Sequence, residues 1–386
     1  METHKGIPPI GSKKRIAVLY GGKSGEHEVS LVSAASVVRH LNQDRYDLFL
    51  IGITHEGEWY LQAPTYIDEV YQGNTKLRIE ERPEYRVQVI PGGKKEFPFF
   101  TQATGPLSID VVFPVLHGTF GEDGTLQGLL EMVDIPYVGA GVLGSAIGMD
   151  KGTAKILWLY AGLPVVPFIQ LRLPEWHSKE QRERIIEKAE RDFRYPLFVK
   201  PSRGGSSVGT SKVLNRPALE QAIEAAFLWD DKVLIEPCVN AREIECSVTG
   251  NEEPAAYTPG EIVPTHEFYD YDAKYLDPDG ARLLIPAELE ETELKTIREL
   301  AIKAYQAAEL SGLARVDFFV SRDTGQIFLN EVNTLPGFTS ISMFPRMCEA
   351  SGLPYGELLD TLIALAEKRY ERQSKRSYTY QQGEGQ

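Results

Sequence analysis

Five apolar residues in a row, Ile16-Ala17-Val18-Leu19-Tyr20, run into Gly21-Gly22, the pattern of a buried strand meeting a turn. From Val29 to Asn42 the apolar positions fall at helical spacing, with Leu31, Ala34, Ala35, Val38 and Leu41 on one face. Residues 47–54 (DLFLIGIT) are again largely apolar. Strand, glycine turn, helix and strand form the βαβ signature of a mostly parallel, doubly wound sheet. The pattern breaks up over residues 62–108, which contain Pro91-Gly92-Gly93-Lys94-Lys95 and read as an insertion. It returns at Ile109–Leu116, a strand running into the loop 117–124 (HGTFGEDG), followed by a helix over 125–133 and a short strand over 135–138. These elements predict a first domain over residues 1–139.

Beyond it the pattern predicts two short helices, a strand over 165–171, a charged helix over 175–193, strands over 195–201 and 210–215, a helix over 217–228 and a strand over 233–236. They make a central unit, residues 140–235. The remainder, 236–386, carries antiparallel signals at 242–250, 281–287, 314–321 and 326–333, then two helices and a frayed tail from about 373. The fold class is α/β, with an α+β C-terminal part.

Composition narrows the function. The 386 residues carry 41 Lys and Arg against 55 Asp and Glu, a formal charge of −14, which argues against a nucleic-acid partner. No run of roughly 18 apolar residues reads as a membrane span, and the first residues lack the apolar core of a signal peptide. Cys238, Cys246 and Cys348 form no CxxC pair, as expected of a reduced, cytoplasmic enzyme.

Two motifs mislead. Gly22-Lys23-Ser24 suggests a phosphate-wrapping P-loop, but the glycine required five positions earlier is Ala17. Gly139-Ala140-Gly141-Val142-Leu143-Gly144 matches GxGxxG, yet residues 160–164 lack the acidic residue of a dinucleotide site. Close packing at a helix start explains these glycines.

The chemistry gathers elsewhere. Arg315 and Asp317 share one face of a strand, and Glu331 and Asn333 share one face of the next, joined by a turn at Asp323-Thr324-Gly325. Two carboxylates and an amide oxygen suit Mg²⁺; a polar hairpin face held by an Arg–Asp pair is the alternative that spacing leaves open. The loop 202–209 (SRGGSSVG) joins two strands and offers Gly204, Gly205, Gly209, Ser206 and Ser207 to a phosphate, or is an ordinary hairpin tip. Lys200 ends the strand before it. Residues 268–275 (FYDYDAKY) have the aromatic, charged character of a covering loop. Glu26 follows the first glycine turn, where an open α/β sheet binds its ligand, with Glu28 as a helix cap and His117 at a neighbouring strand end.

In order, GGKSGEHEVS (21–30), LHGTFGEDGTLQG (116–128), MDK (149–151), VKPSRGGSSVG (199–209), IE (235–236), FYDYDAKY (268–275), ARVDFF (314–319) and NEVNTLPGFTSIS (330–342) resemble the D-alanine–D-alanine ligases of the ATP-grasp superfamily. The resemblance implies an ATP-grasp fold and ATP-dependent joining of two D-alanines through an acyl phosphate, for cell-wall precursors. It implies Mg²⁺ or Mn²⁺, two ions, on Asp317, Glu331 and Asn333, and ATP held by Lys151, Lys200, Ser207 and Lys274. Glu236, Val239 and Glu243 match the adenosine-binding stretch, although Pro237 there cannot donate a backbone hydrogen bond. Glu26 would bind the first ammonium, supported by Ser206 and Tyr275. Arg315 and the Gly337 amide would stabilise the oxyanion, Ser342 would hold the second carboxylate, and His117 would line the pocket. Loops 202–209 and 266–280 would close as a lid, and the family points to a homodimer. The nearest alternative is a D-alanine–D-lactate ligase, against which the Lys274-Tyr275 ending of the covering loop speaks.

Overall fold

The computed structural model describes residues 13–206, 208–264 and 281–378. The chain opens with β1 (Lys14–Gly21), α1 (His27–His40), β2 (Tyr46–Ile53), β3 (Trp59–Leu61) and α2 (Thr65–Tyr71). The short strands β4 (Gln88–Val89), β5 (Phe99–Thr101) and β6 (Gly105–Leu107) then form a small antiparallel sheet inside the expected insertion. Next come β7 (Val111–Val115), α3 (Thr125–Val133), α4 (Val142–Met149) and α5 (Lys151–Tyr160). The first large sheet has the order β3-β2-β1-β7, with β1 parallel to both β2 and β7. Continuous apolar runs are what a parallel sheet covered on both faces requires: every residue of β7 is buried.

Residues 135–138 form only an isolated bridge, Val112 to Tyr137, and no strand. Pro136 brings no N–H to a ladder. The GxGxxG stretch is a packing motif: Gly141 caps α4, and a Cβ on Gly144 would stand 2.6 Å from the Glu309 carbonyl oxygen.

The second sheet comprises β8 (Ile169–Arg172), β9 (Leu197–Pro201), β10 (Ser211–Val213) and β11 (Lys232–Pro237), in the order β10-β9-β11-β8, all antiparallel. Helices α6 (Leu173–His177), α7 (Lys179–Asp192) and α8 (Arg216–Ala226) accompany it. The expected strand over 165–171 starts only at Ile169, because Val165 bridges to Leu329 of the third sheet. The expected helix over 175–193 is two helices, the second capped by Ser178, whose hydroxyl accepts from the Gln181 N–H.

The third sheet holds β12 (Ala241–Gly250), β13 (Ala255–Ala256), β14 (Gly260–Pro264), β15 (Ala281–Leu284), β16 (Gly312–Ser321) and β17 (Ile327–Asn333), with α9 (Glu291–Ala307) packed on it. The expected strand over 281–287 stops at Leu284, just before Pro286. Two helices close the chain, α10 (Met343–Ala350) and α11 (Tyr355–Ser374). Helix α11 returns to the first sheet: Leu358, Leu359, Leu362 and Ile363 are buried in one core with Val18, Val38 and Phe113. Leu335 and Phe338, from the loop after β17, enter the same core. Burial of that apolar surface, at about 25 cal/mol per Å², fixes the third sheet against the first.

Candidate active site

The glycine turn after β1 builds the first wall. Gly21 and Gly22 have φ of +90° and +97°, and a Cβ on Gly21 would lie 2.3 Å from the Ile53 carbonyl oxygen, so only glycine fits. The chain is thereby turned so that Glu26 stands just ahead of α1, its side chain making no cap to the helix. Ser206, from the loop between β9 and β10, donates its hydroxyl hydrogen to the Glu26 carboxylate instead. A Cβ on Gly118 or Gly205 would come within 2.9 or 3.1 Å of that carboxylate, so both loops approach it through glycine. Glu28 does not cap the helix either; it pairs with Lys76 at 2.5 Å, which holds its carboxyl below the usual range.

The β16–β17 hairpin supplies the second wall. Its register sets Asp317 opposite Glu331 and Arg315 opposite Asn333, as the alternation of their sequence predicts. Arg315 donates to both oxygens of Asp317 at 2.8 and 2.7 Å and lies 3.1 Å from Glu245 on β12. These carboxylates hold its guanidinium charged despite burial. The Asn333 amide nitrogen donates to Asp317 at 2.9 Å, and Lys151 stands 3.1 Å from Glu331. Both sequence readings of this hairpin meet here: the Arg–Asp pair exists, and the oxygen set converges with it. Three carboxylates face two cationic side chains, a hard, net anionic donor set that fits a divalent cation.

The third wall belongs to the second sheet. Lys200 on β9 lies 2.7 Å from Glu236 on β11, and Lys155 on α5 lies 3.0 Å from its other oxygen, both Lys155 and Glu236 being buried. Burial and the neighbouring Lys200 push the Lys155 ammonium down to about 8, while both lysines hold the Glu236 carboxyl low against its burial. After Glu236, Pro237 has no N–H and that of Cys238 goes to the Pro196 carbonyl at 3.0 Å. The N–H of Val239 has no partner among the described residues and is the next donor along this edge.

The loop 202–209 is anchored at its root. Arg203, which gives the loop its basic character in sequence, turns to Asp230 at 2.6 Å and Asp231 at 2.5 Å. Lys151 donates to the Gly204 carbonyl, tying the loop to the start of α5. Ser207, Lys274, Tyr275 and the expected lid 266–280 lie outside the described residues.

The walls enclose one cleft of about 1020 Å³. Glu26, His117, Ser206, Gly337 and Ser342 line this cleft, as do Lys200, Glu236, Val239 and Glu243. Lys151, Arg315, Asp317, Glu331 and Asn333 complete the lining. Burial pushes the His117 imidazole below its ordinary value, against the attraction of Glu26. Glu122 also lines the cleft, and the sequence reading did not single it out. Its one sequence signal is its place in the loop beyond β7, at a strand end where such sheets bind ligands.

His27, Glu28 and His55 also bring ligand atoms within 4.8 Å of one another. Their geometry opposes chelation. The two imidazoles stack face to face at 3.8 Å, so their in-plane lone pairs run side by side, and Lys76 already neutralises Glu28.

Family models described as D-ala D-ala ligase N-terminus and D-ala D-ala ligase C-terminus match residues 15–140 and 157–364. The chain is 54% identical over 363 residues to a D-alanine–D-alanine ligase of Treponema denticola, covering 93% of this chain and 98% of that protein. It is 50% identical over 359 residues to the ligase of the same name from Thermoanaerobacter sp., covering 92% and 96%. Among solved structures, the D-alanine-D-alanine ligase from Coxiella burnetii superposes with a TM-score of 0.79 at 38% identity, covering 94% of this chain and 96% of that one. A D-Ala:D-Ser ligase from Enterococcus faecalis superposes with a TM-score of 0.77 at 37% identity, covering 92% and 100%.

Proposed function

The chain belongs to the D-alanine–D-alanine ligase family, with the ATP-grasp fold, and we propose that its cleft performs ATP-dependent ligation of two D-alanines for peptidoglycan precursors with the residues in the roles below. The observation that carries this reading is the hydrogen bond from Ser206 to Glu26, which joins the phosphate-side loop to the substrate end of the cleft.

Lys151, Lys200, Ser207 and Lys274 bind the ATP phosphates, together with amides of the 202–209 loop. Glu236 and the Val239 N–H face the base, and Glu243 the ribose. Glu26 holds the ammonium of the first D-alanine, with Ser206 and Tyr275 in support, so that its carboxylate is aimed at the γ-phosphorus. Attack there forms the acyl phosphate and releases ADP. The amine of the second D-alanine, held through its carboxylate by Ser342 with His117 beside it, then attacks the acyl carbon, and the proton it gives up leaves with the expelled phosphate. Arg315 and the Gly337 N–H stabilise the oxyanion, and collapse expels phosphate; one such donor is worth about 10²–10³ in rate. Mg²⁺ or Mn²⁺ held by Asp317, Glu331 and Asn333, as two ions, supplies neutralisation of phosphate charge. Residues 202–209 and 266–280 exclude water from the acyl phosphate, which hydrolyses when exposed.

Tolerance of D-serine as second substrate is the alternative that the similarity to the Enterococcus faecalis enzyme favours. Among the described residues no helix is long and apolar enough to cross a membrane; action in the cytoplasm is part of the proposal. A homodimer is supported by the apolar side chains that α4 and α5 leave exposed, Leu143, Ile156 and Leu159.

The test is ADP release by purified protein with ATP and Mg²⁺, adding D-alanine, L-alanine, or D-alanine with D-serine or D-lactate. Release with D-alanine alone, with the dipeptide as product, is the expected result. Release only with D-lactate or D-serine present would move the second substrate, and no release with any of them would remove the reading.

A further inference from the structure

The loop after β17 is gripped along its length by side chains of the loop beyond β7 and of α1 and α11. The Leu335 N–H donates to one oxygen of Glu122 at 2.7 Å, and the Leu335 carbonyl accepts from His117 Nδ1 at 2.8 Å. The other Glu122 oxygen accepts the Gly118 N–H at 2.7 Å. His117 Nε2 faces the Ser33 hydroxyl at 3.2 Å, and Ser33 accepts the Phe338 N–H at 3.3 Å. Tyr355 donates to the Phe338 carbonyl. The Leu335 and Phe338 amides are thus engaged, Pro336 has none, and the Gly337 N–H is left without a partner among the described residues.

We propose that Glu122 is a positioning residue for the second D-alanine: by accepting from Gly118 and Leu335 at once, it sets the 334–342 loop so that the Ser342 hydroxyl meets that substrate's carboxylate and the Gly337 amide meets the oxyanion formed as its amine attacks. The proposal rests on the ligase reading above and deepens it. A carboxyl group suits this post in either protonation state, since each of its two oxygens keeps a lone pair with which to accept from a separate backbone. Glutamine has a single acceptor oxygen and would turn an NH₂ toward one of the two N–H groups. Alanine abandons both. The contact joins the end of β7 to the end of β17, elements of different sheets that no backbone ladder connects. Arg315 and Lys151 bond to Asp317, Glu245, Glu331 and the Gly204 carbonyl rather than to Glu122, so removing Glu122 breaks no contact of the metal donor set.

Glu122→Gln, Glu122→Asp and Glu122→Ala test this by two independent measurements. In steady-state kinetics, the KM of the second D-alanine should rise about tenfold or more in Glu122→Ala and Glu122→Gln and less in Glu122→Asp, with the KM of ATP within about twofold. In hydrogen–deuterium exchange without substrates, peptides spanning 115–122 and 333–339 should exchange faster in Glu122→Gln, a near-isosteric change that preserves the fold. An unchanged KM for the second D-alanine, or a parallel rise for ATP, would overturn the positioning role. Unchanged exchange would overturn the clasp itself. If the unmodified protein does not ligate D-alanine, the assigned substrate falls with the ligase reading, and the exchange measurement still decides the clasp.

Discussion

Ser206 and Glu26, 180 residues apart in sequence, share a hydrogen bond across the cleft. One comes from the tip of a hairpin in the second sheet, the other from the turn that opens the first helix. Through this bond the loop proposed to cover phosphate meets the carboxylate proposed to hold the first amino acid.

Glu26→Gln removes the anion but keeps a hydrogen-bonding group of the same size. The KM of the first D-alanine should rise by about 10²-fold, because a charge-assisted contact is worth about 2–3 kcal/mol. Ser206→Ala should cost about tenfold. ATP binding, followed by isothermal titration, should change little in either variant.

Removing the donor set at the hairpin is expected to end turnover. Asp317→Ala with Glu331→Ala should lower ADP release by at least about 10³-fold. Mn²⁺ titration monitored by electron paramagnetic resonance gives a second readout: saturable binding seen in the unmodified protein should be lost. Near-normal activity or retained Mn²⁺ binding would remove these residues from the metal site.

Lys155 is wholly buried with Glu236. Lys155→Met leaves that carboxylate with Lys200 alone, at a cost of about 2–4 kcal/mol of folding stability. Urea denaturation should show the loss, and the KM of ATP should rise because Lys200 is then the only counter-charge left to Glu236. Adding Glu236→Gln should recover part of the stability.

Glu122 gives the pH dependence. Burial and the nearby Glu26 push its carboxyl up from the usual 4.5 to about 8, against its two backbone donors and Arg315. Between those values the native state keeps a proton that the unfolded chain has released. Stability from this group is therefore complete below about pH 4.5 and is lost as pH rises through 8. The urea midpoint of the unmodified protein should fall relative to Glu122→Gln between pH 5 and 8.5. Parallel curves would place Glu122 in a more solvated setting.

Much of this molecule is legible in one dimension. The apolar runs of β1, β2 and β7 announce a parallel sheet because strands covered on both faces have no polar side to show. The alternation of Arg315, Asp317, Glu331 and Asn333 yields the hairpin register, since a strand's side chains repeat every second residue. Motif order carries the family. Chain statistics do not carry contacts between distant segments. Nothing local says that Arg203 turns from the phosphate side to Asp230 and Asp231, or that α11 closes the first core. Lys155 looks like an ordinary helix surface residue until Glu236 is packed against it. Glu122 looks like a loop acid until the Leu335 amide, 213 residues away, arrives at its oxygen. Composition and periodicity determine which elements form and which face each buries. Which charges meet in the cleft is decided only when three sheets are brought together, because burial and pairing there are set by neighbours the sequence does not place side by side.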